Sequence, residues 1–200
     1  MKSTAMLLAL TFAASAAWAA SVGQPAPAFS AVDANGKAVS LADFKGKTVV
    51  LEWTNPECPY VRKHYDSANM QATQKAATAH GVVWLSVNST HAGHVDFKKP
   101  AEMLAWARQQ GAAPTATVMD GDGKIGRAYG ARTTPHLYIV DAKGTLVYAG
   151  GIDDKPSANP ADVKAAKNLV NAALGEVLAG KAITQAVTRP YGCSVKYLDS

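Results

Sequence analysis

Apolar residues along this chain fall into runs of two kinds, and their spacing predicts alternating strands and helices. The run 48–53, "TVVLEW", is apolar at nearly every position, the mark of a central strand covered on both faces. Val49, Leu51 and Trp53 point to one face; Val50, Glu52 and Thr54 point to the other. "GVVWLSVN" (81–88) repeats the pattern, and "TATVMD" (115–120) and "PHLYIVD" (135–141) add two strands with "GDGKIGRAYGART" between them. The turn Asp141 to Gly144 leads into a further strand, "TLVYAGG" (145–151). Nearer the start, Asn35-Gly36 between short alternating runs signals a hairpin, and "LADFKGK" (41–47) reads as a short helical turn closed by Gly46.

Helical periodicity covers 58–80, with a break near Ser67 and Gly81 as cap, and again 101–110. The last helix carries the strongest signals. Asn159 caps it, Pro160 opens it, and Val163, Ala166, Leu169, Val170, Ala173, Leu174, Val177 and Leu178 follow helical spacing up to Gly180. Residues 181–200 read as an irregular tail. The order predicts an α/β fold: a central mixed sheet flanked by helices, with an N-terminal β-hairpin and a closing antiparallel hairpin.

The first 20 residues change the picture. Lys2, the apolar run "AMLLALTFAASAA" and Ala17-Trp18-Ala19 form the pattern of a secretory signal peptide cleaved after Ala19 or Ala20, too short to span a membrane. The remaining ~180 residues suit one domain, and no later stretch is apolar for long enough to cross a bilayer. The location expected is periplasmic or secreted, where two cysteines can form and keep a disulfide. The formal charge is +5, or +4 without Lys2, from scattered residues without a basic stripe. That excludes a nucleic-acid partner and speaks mainly of solubility.

The two cysteines are Cys58 and Cys193. Cys58 stands where a strand hands over to a helix, with Pro59 fixing the helix start. A thiol in the first helical turn meets unpaired backbone N–H groups and the positive end of the dipole, which favour thiolate. Arg62, four residues on, is a possible stabiliser of that charge, and Glu57 opposes it. The alternative is a buried, inert cysteine that acts as a small hydrophobe. Glu52 is a carboxylate in an apolar strand, expensive unless used or paired.

"VVLEWTNPECP", "TTPHLYIVD" and the closing hairpin and helix together resemble the thioredoxin superfamily, in particular its secreted redoxin and peroxiredoxin-like (AhpC/TSA-type) branch. The likeness spans about residues 22–180, nearly all of the mature chain. It implies a cis Pro135 facing Cys58, with Thr134 presenting its backbone to the substrate. It also implies that Glu52 accepts a proton with a raised pKa; an edge-facing or Lys-paired glutamate is the other reading.

Departures from the family's patterns matter. Val61 stands where thioredoxins carry the second cysteine of C-x-x-C. Asn55 and Leu51 stand where peroxiredoxins place threonine and proline, so Asn55 is the candidate hydrogen-bond donor to a peroxide. Arg132 is the candidate substitute for the peroxiredoxin arginine.

A lone thiolate that attacks a disulfide, or is oxidised to sulfenic acid, needs a second thiol to complete its cycle. Cys193 is the expected resolving partner if the tail brings its Cα within ~7 Å of that of Cys58. The expected activity is thiol-disulfide exchange or hydroperoxide reduction, with electrons from an external thiol protein or small thiol and no cofactor. Two other readings stand beside it. One is a redox-inert binding domain with a structural Cys58–Cys193 disulfide, contributing about 5 kcal/mol through the long loop it closes. The other is a metal-binding chaperone using Cys58 with His64, His91 or His94. No metal is expected, because such chaperones use two close cysteines and a histidine. "DGDGK" fails as a calcium loop at Lys124, Ile125 and Ala131.

Overall fold

The computed structural model describes residues 20–198, so the leader expected over 1–20 lies, Ala20 apart, outside the described residues. The elements in chain order are β1 (Ser30–Asp33), β2 (Ala38–Ser40), β3 (Val49–Trp53), α1 (Pro59–Asp66), α2 (Asn69–Ala79), β4 (Val83–Asn88) and α3 (Pro100–Gln109). They continue with β5 (Ala116–Met119), α4 (Lys124–Tyr129), β6 (Thr133–Thr134), β7 (His136–Val140), β8 (Leu146–Gly150), α5 (Leu169–Leu178) and β9 (Cys193–Ser194). Short 3-10 turns lie at Leu41–Phe44 and Pro160–Ala165.

Seven strands form one mixed sheet in the order β2-β1-β5-β4-β3-β7-β8. β3 pairs parallel to β4 and antiparallel to β7, and β4 pairs parallel to β5. The hairpin β1–β2 forms at Asn35-Gly36, where Asp33 accepts from the backbone N–H groups of Asn35 and Lys37. This is the thioredoxin-like α/β architecture.

The alternation read in β3 is the alternation observed. Val49, Leu51 and Trp53 belong to a core shared with Tyr129 of α4 and Tyr138 of β7. Val50 faces a second core with Val61 and Tyr65 of α1, Met70 of α2, Trp84 of β4 and Val170 and Leu174 of α5. Both faces are closed, so β3 is a rigid support for whatever its C-terminal end presents. Each large side chain fully buried there stabilises by about 1.5–3 kcal/mol.

Two expectations need correction. The final helix is two pieces. Ala166 is extended, and Asn168 opens α5 by accepting from the Asn171 N–H at 2.8 Å. Backbone N–H groups freed in between are satisfied outside any helix: Lys167 N–H by Asp154 Oδ1 at 2.9 Å and Leu169 N–H by the Ile152 carbonyl at 2.9 Å. The stretch 121–133 contains a helix, α4. Its first N–H groups are capped from a distance, because Asp120 accepts from Ile125 at 3.0 Å and Gly126 at 2.9 Å. The described residues from 181 onward are irregular apart from β9 and are tied to the body of the protein. Ala149 and Thr188 are joined by a 3.1 Å backbone hydrogen bond, and Val195 N–H donates to the Arg132 carbonyl at 3.0 Å. Val195 is buried in the first core. No helix among the described residues is long and apolar enough to cross a membrane.

Candidate active site

Cys58 is the N-cap of α1 and Pro59 its first residue. The approach to the helix is fixed from β3 onward. Thr54 N–H donates to the Val87 carbonyl at 2.9 Å, and Asn88 Nδ2 donates to the Thr54 carbonyl at 3.1 Å. Asn55 then organises the loop. Its Oδ1 accepts from Glu57 N–H at 2.9 Å, its carbonyl accepts from Cys58 N–H at 3.0 Å, and its Nδ2 donates to Asp96 at 3.2 Å. The asparagine suggested for peroxide binding is therefore buried and occupied at both ends of its amide.

The Cys58 thiol is 1% exposed. It donates to the carbonyl of Thr134 at 3.1 Å, directly before the cis peptide bond to Pro135. Across the two-residue ladder of β6 and β9, Thr134 pairs with Cys193. The half-buried Cys193 packs against the core cluster that holds Cys58, so two cysteines far apart in sequence are brought together beside Thr134. Both are free thiols. Burial, the contact with Cys58 and the charge Cys58 carries when ionised push the Cys193 thiol up to about 12. Cys193 therefore keeps its proton at neutral pH.

Glu52 is fully buried on the face of β3 beneath α1 and α2, neither at an edge nor beside a lysine. Its carboxyl accepts from Tyr65 OH at 2.8 Å, Gln74 Nε2 at 3.0 Å, Trp84 Nε1 at 2.7 Å and Ser86 Oγ at 3.2 Å. Burial raises its pKa above the ordinary value, and the four donors only partly offset this. No hydrogen bond among the described residues joins it directly to Cys58.

The two arginines are placed for other work. Arg62 donates to the Pro56 carbonyl at 3.0 Å and pairs with Glu57 at 2.7 Å, where Glu57 also meets Lys98 at 2.7 Å. The positive charge expected to serve the sulfur neutralises a neighbour instead. Arg132 is exposed, and it lines a cavity with His136 and Tyr138, not with Cys58.

One cluster was not anticipated from sequence. Lys63 and His64 of α1 are buried and converge with Asp153 on the hydroxyl of Tyr191, two residues before Cys193. No local signal marks Lys63 as buried, and only the fold shows that it turns inward. Among the described residues, no three His, Cys, Asp or Glu side chains gather as a metal site.

The chain is similar to several known proteins. The thiol-disulfide oxidoreductase ResA of Bacillus thuringiensis subsp. konkukian is 26% identical over 133 residues, covering 63% of this chain and 67% of that protein. The thiol:disulfide interchange protein DsbE of Yersinia pestis is 26% identical over 139 residues, covering 67% of each. The crystal structure of a hypothetical protein from Sinorhizobium meliloti 1021 superposes with a TM-score of 0.75 at 23% identity, over 90% of this chain and 96% of that one, a likeness of fold. A family model described as AhpC/TSA matches residues 22–149, so the chain belongs to the AhpC/TSA family within the thioredoxin-like redoxin superfamily.

Proposed function

We propose that the protein is an exported thiol-disulfide oxidoreductase in which Cys58 is the nucleophile and Cys193 the resolving thiol. The observation that carries this reading is that both cysteines converge on Thr134, whose carbonyl accepts from the Cys58 thiol and whose backbone pairs with Cys193 in the β6–β9 ladder. The thioredoxin-like body, 21–180, supplies Cys58, and the tail, 181–200, delivers Cys193. Thr134 and Pro135 form the wall facing the substrate. The leader pattern of residues 1–20 supports export to the periplasm or medium.

In the first step, ionised Cys58 attacks a substrate disulfide, and one substrate sulfur leaves as a thiolate that takes up a proton. Cys193 then loses its proton and attacks the Cys58 sulfur of the mixed disulfide. The second substrate thiolate departs and is protonated in turn. The substrate gains two electrons and two protons, and the protein is left with a Cys58–Cys193 disulfide. An external thiol donor reduces it again by the same exchange in reverse. Glu52, a buried carboxyl with a raised pKa, is the candidate acceptor of the Cys193 proton.

The names of the ResA and DsbE relatives support disulfide exchange over peroxide reduction. So does the engagement of Asn55 with Glu57 and Asp96. The test is non-reducing peptide mapping after oxidation, together with Cys193→Ser. A Cys58–Cys193 peptide in the wild type, and a persistent mixed disulfide on Cys58 in the variant, are expected. Oxidised protein in which the two cysteines are never joined overturns the reading.

A further inference from the structure

The tail that carries Cys193 is held by a buried polar cluster in which the donors of Lys63 and all three positions of the Tyr191 hydroxyl are filled. Lys63 Nζ has three N–H donors and three acceptors: Asp153 Oδ2 at 3.1 Å, the Lys155 carbonyl at 2.6 Å and Tyr191 OH at 3.0 Å. Asn69 Nδ2 meets His64 Nδ1 at 2.9 Å, which leaves the ring proton on Nε2 to donate to Tyr191 OH at 3.0 Å. The Tyr191 hydroxyl thus accepts twice, and it gives its single proton to Asp153 Oδ1. Asp153 Oδ1 also takes the Lys155 N–H at 3.0 Å. Lys63, His64 and Asp153 are all buried.

Among these side chains Tyr191 alone comes from the tail. The connection from the cluster to the sulfurs is short on both sides. Lys63 and His64 belong to α1, whose N-cap is Cys58, and a single residue, Gly192, separates Tyr191 from Cys193. Lifting the tail would leave an ammonium, an imidazole and a carboxylate short of partners in a buried site, a costly state.

We propose that Tyr191 is a positioning residue, a latch whose hydroxyl locks the tail into the Lys63–His64–Asp153 cluster and so sets how often Cys193 meets Cys58. This rests on the reading of the two cysteines as a redox pair. The latch acts through the effective concentration of one thiol at the other. Released, it uncovers Cys58; closed, it holds Cys193 in place for resolution.

The test equilibrates the full chain in glutathione buffers, where protein disulfide and two glutathiones interconvert with protein dithiol and glutathione disulfide. Tyr191→Phe keeps the ring and removes the latch. Its equilibrium constant for the Cys58–Cys193 disulfide should fall about 10- to 100-fold, the range of hydrogen bonds to charged groups. Iodoacetamide should modify Cys58 of the reduced variant at least about tenfold faster. Val118→Ala, a core change remote from the cluster, should alter neither quantity. Asp153→Asn serves as a second latch variant and should move both in the same direction.

A Tyr191→Phe protein that unfolds more readily but keeps the wild-type constant and alkylation rate overturns the latch. Should the wild type form no Cys58–Cys193 disulfide in any buffer, the redox pairing fails instead. The alkylation rates still decide the latch in that case.

Discussion

Cys193 lies opposite Thr134 in the short antiparallel ladder of β6 and β9, and the carbonyl of Thr134 is also the acceptor of the Cys58 thiol. The ladder depends on Gly192, whose φ of 133° is one that side-chain-bearing residues rarely adopt. A Cβ added there would run into the Thr134 carbonyl. Gly192→Ala is therefore expected to push β9 off β6 at a cost of about 1–3 kcal/mol. Intramolecular disulfide formation, followed by loss of free thiols under mild oxidant, should slow at least about tenfold. An unchanged rate would mean that the ladder does not govern the meeting of the sulfurs.

The two thiols should also differ in reactivity, and by a mechanism that one mutation exposes. Cys58 is among the causes holding the Cys193 thiol up to about 12, after burial itself. In Cys58→Ser that contribution disappears, so Cys193 ionises more easily and its alkylation at pH 8 should speed up several-fold. Mass spectrometry of the modified peptide measures it. A rate equal to or slower than that of wild-type Cys193 would contradict the contact between the sulfurs.

Much of this arrangement was legible in the chain itself. The unbroken apolar run of β3, the hairpin at Asn35-Gly36 and the proline before β7 each carry local signals that tertiary packing does not override. The break between α1 and α2 was visible near Ser67; it falls at Ala68, which takes a positive φ of 58°. What escaped was non-local. α4 is capped by Asp120 from outside the usual position, so 121–133 looked like a turn-rich connection. The final helix showed continuous periodicity, yet Asn168 starts a new helix because Asp154 and Ile152 capture the intervening N–H groups. The Tyr191 cluster joins α1 to segments distant in sequence, and no spacing rule connects them.

Glu52 offers a test in which stability and activity should part company. Its pKa is raised in the folded protein, so folding retains a proton that the unfolded chain releases, and ionised Glu52 subtracts from stability as pH rises above the ordinary glutamate value. Glu52→Gln removes that cost. Its thermal midpoint at pH 8 should exceed wild type by a few degrees, with the difference shrinking toward pH 4.5. If Glu52 accepts the Cys193 proton, the same variant should exchange disulfides 10- to 100-fold more slowly. A destabilised variant at pH 8 would refute the sign, and full activity would remove Glu52 from proton transfer.

Acid should loosen the fold through histidines held neutral. Burial lowers His64 to about 4, with Asp153 pulling the other way and Lys63 reinforcing the depression; His136 falls further, to about 3, for burial and the nearby Arg132. Between the ordinary histidine value and these depressed values the unfolded chain takes up protons that the folded protein refuses. Stability contributed by the neutral rings is therefore complete above pH 6.5 and lost as pH falls toward 4, by roughly 3 kcal/mol for His64. His64→Gln keeps an amide donor for Tyr191 OH and cannot titrate. Urea unfolding at pH 7.5 and 4.5 should show a clearly smaller acid penalty in this variant, and an identical penalty would assign the acid sensitivity to groups other than His64.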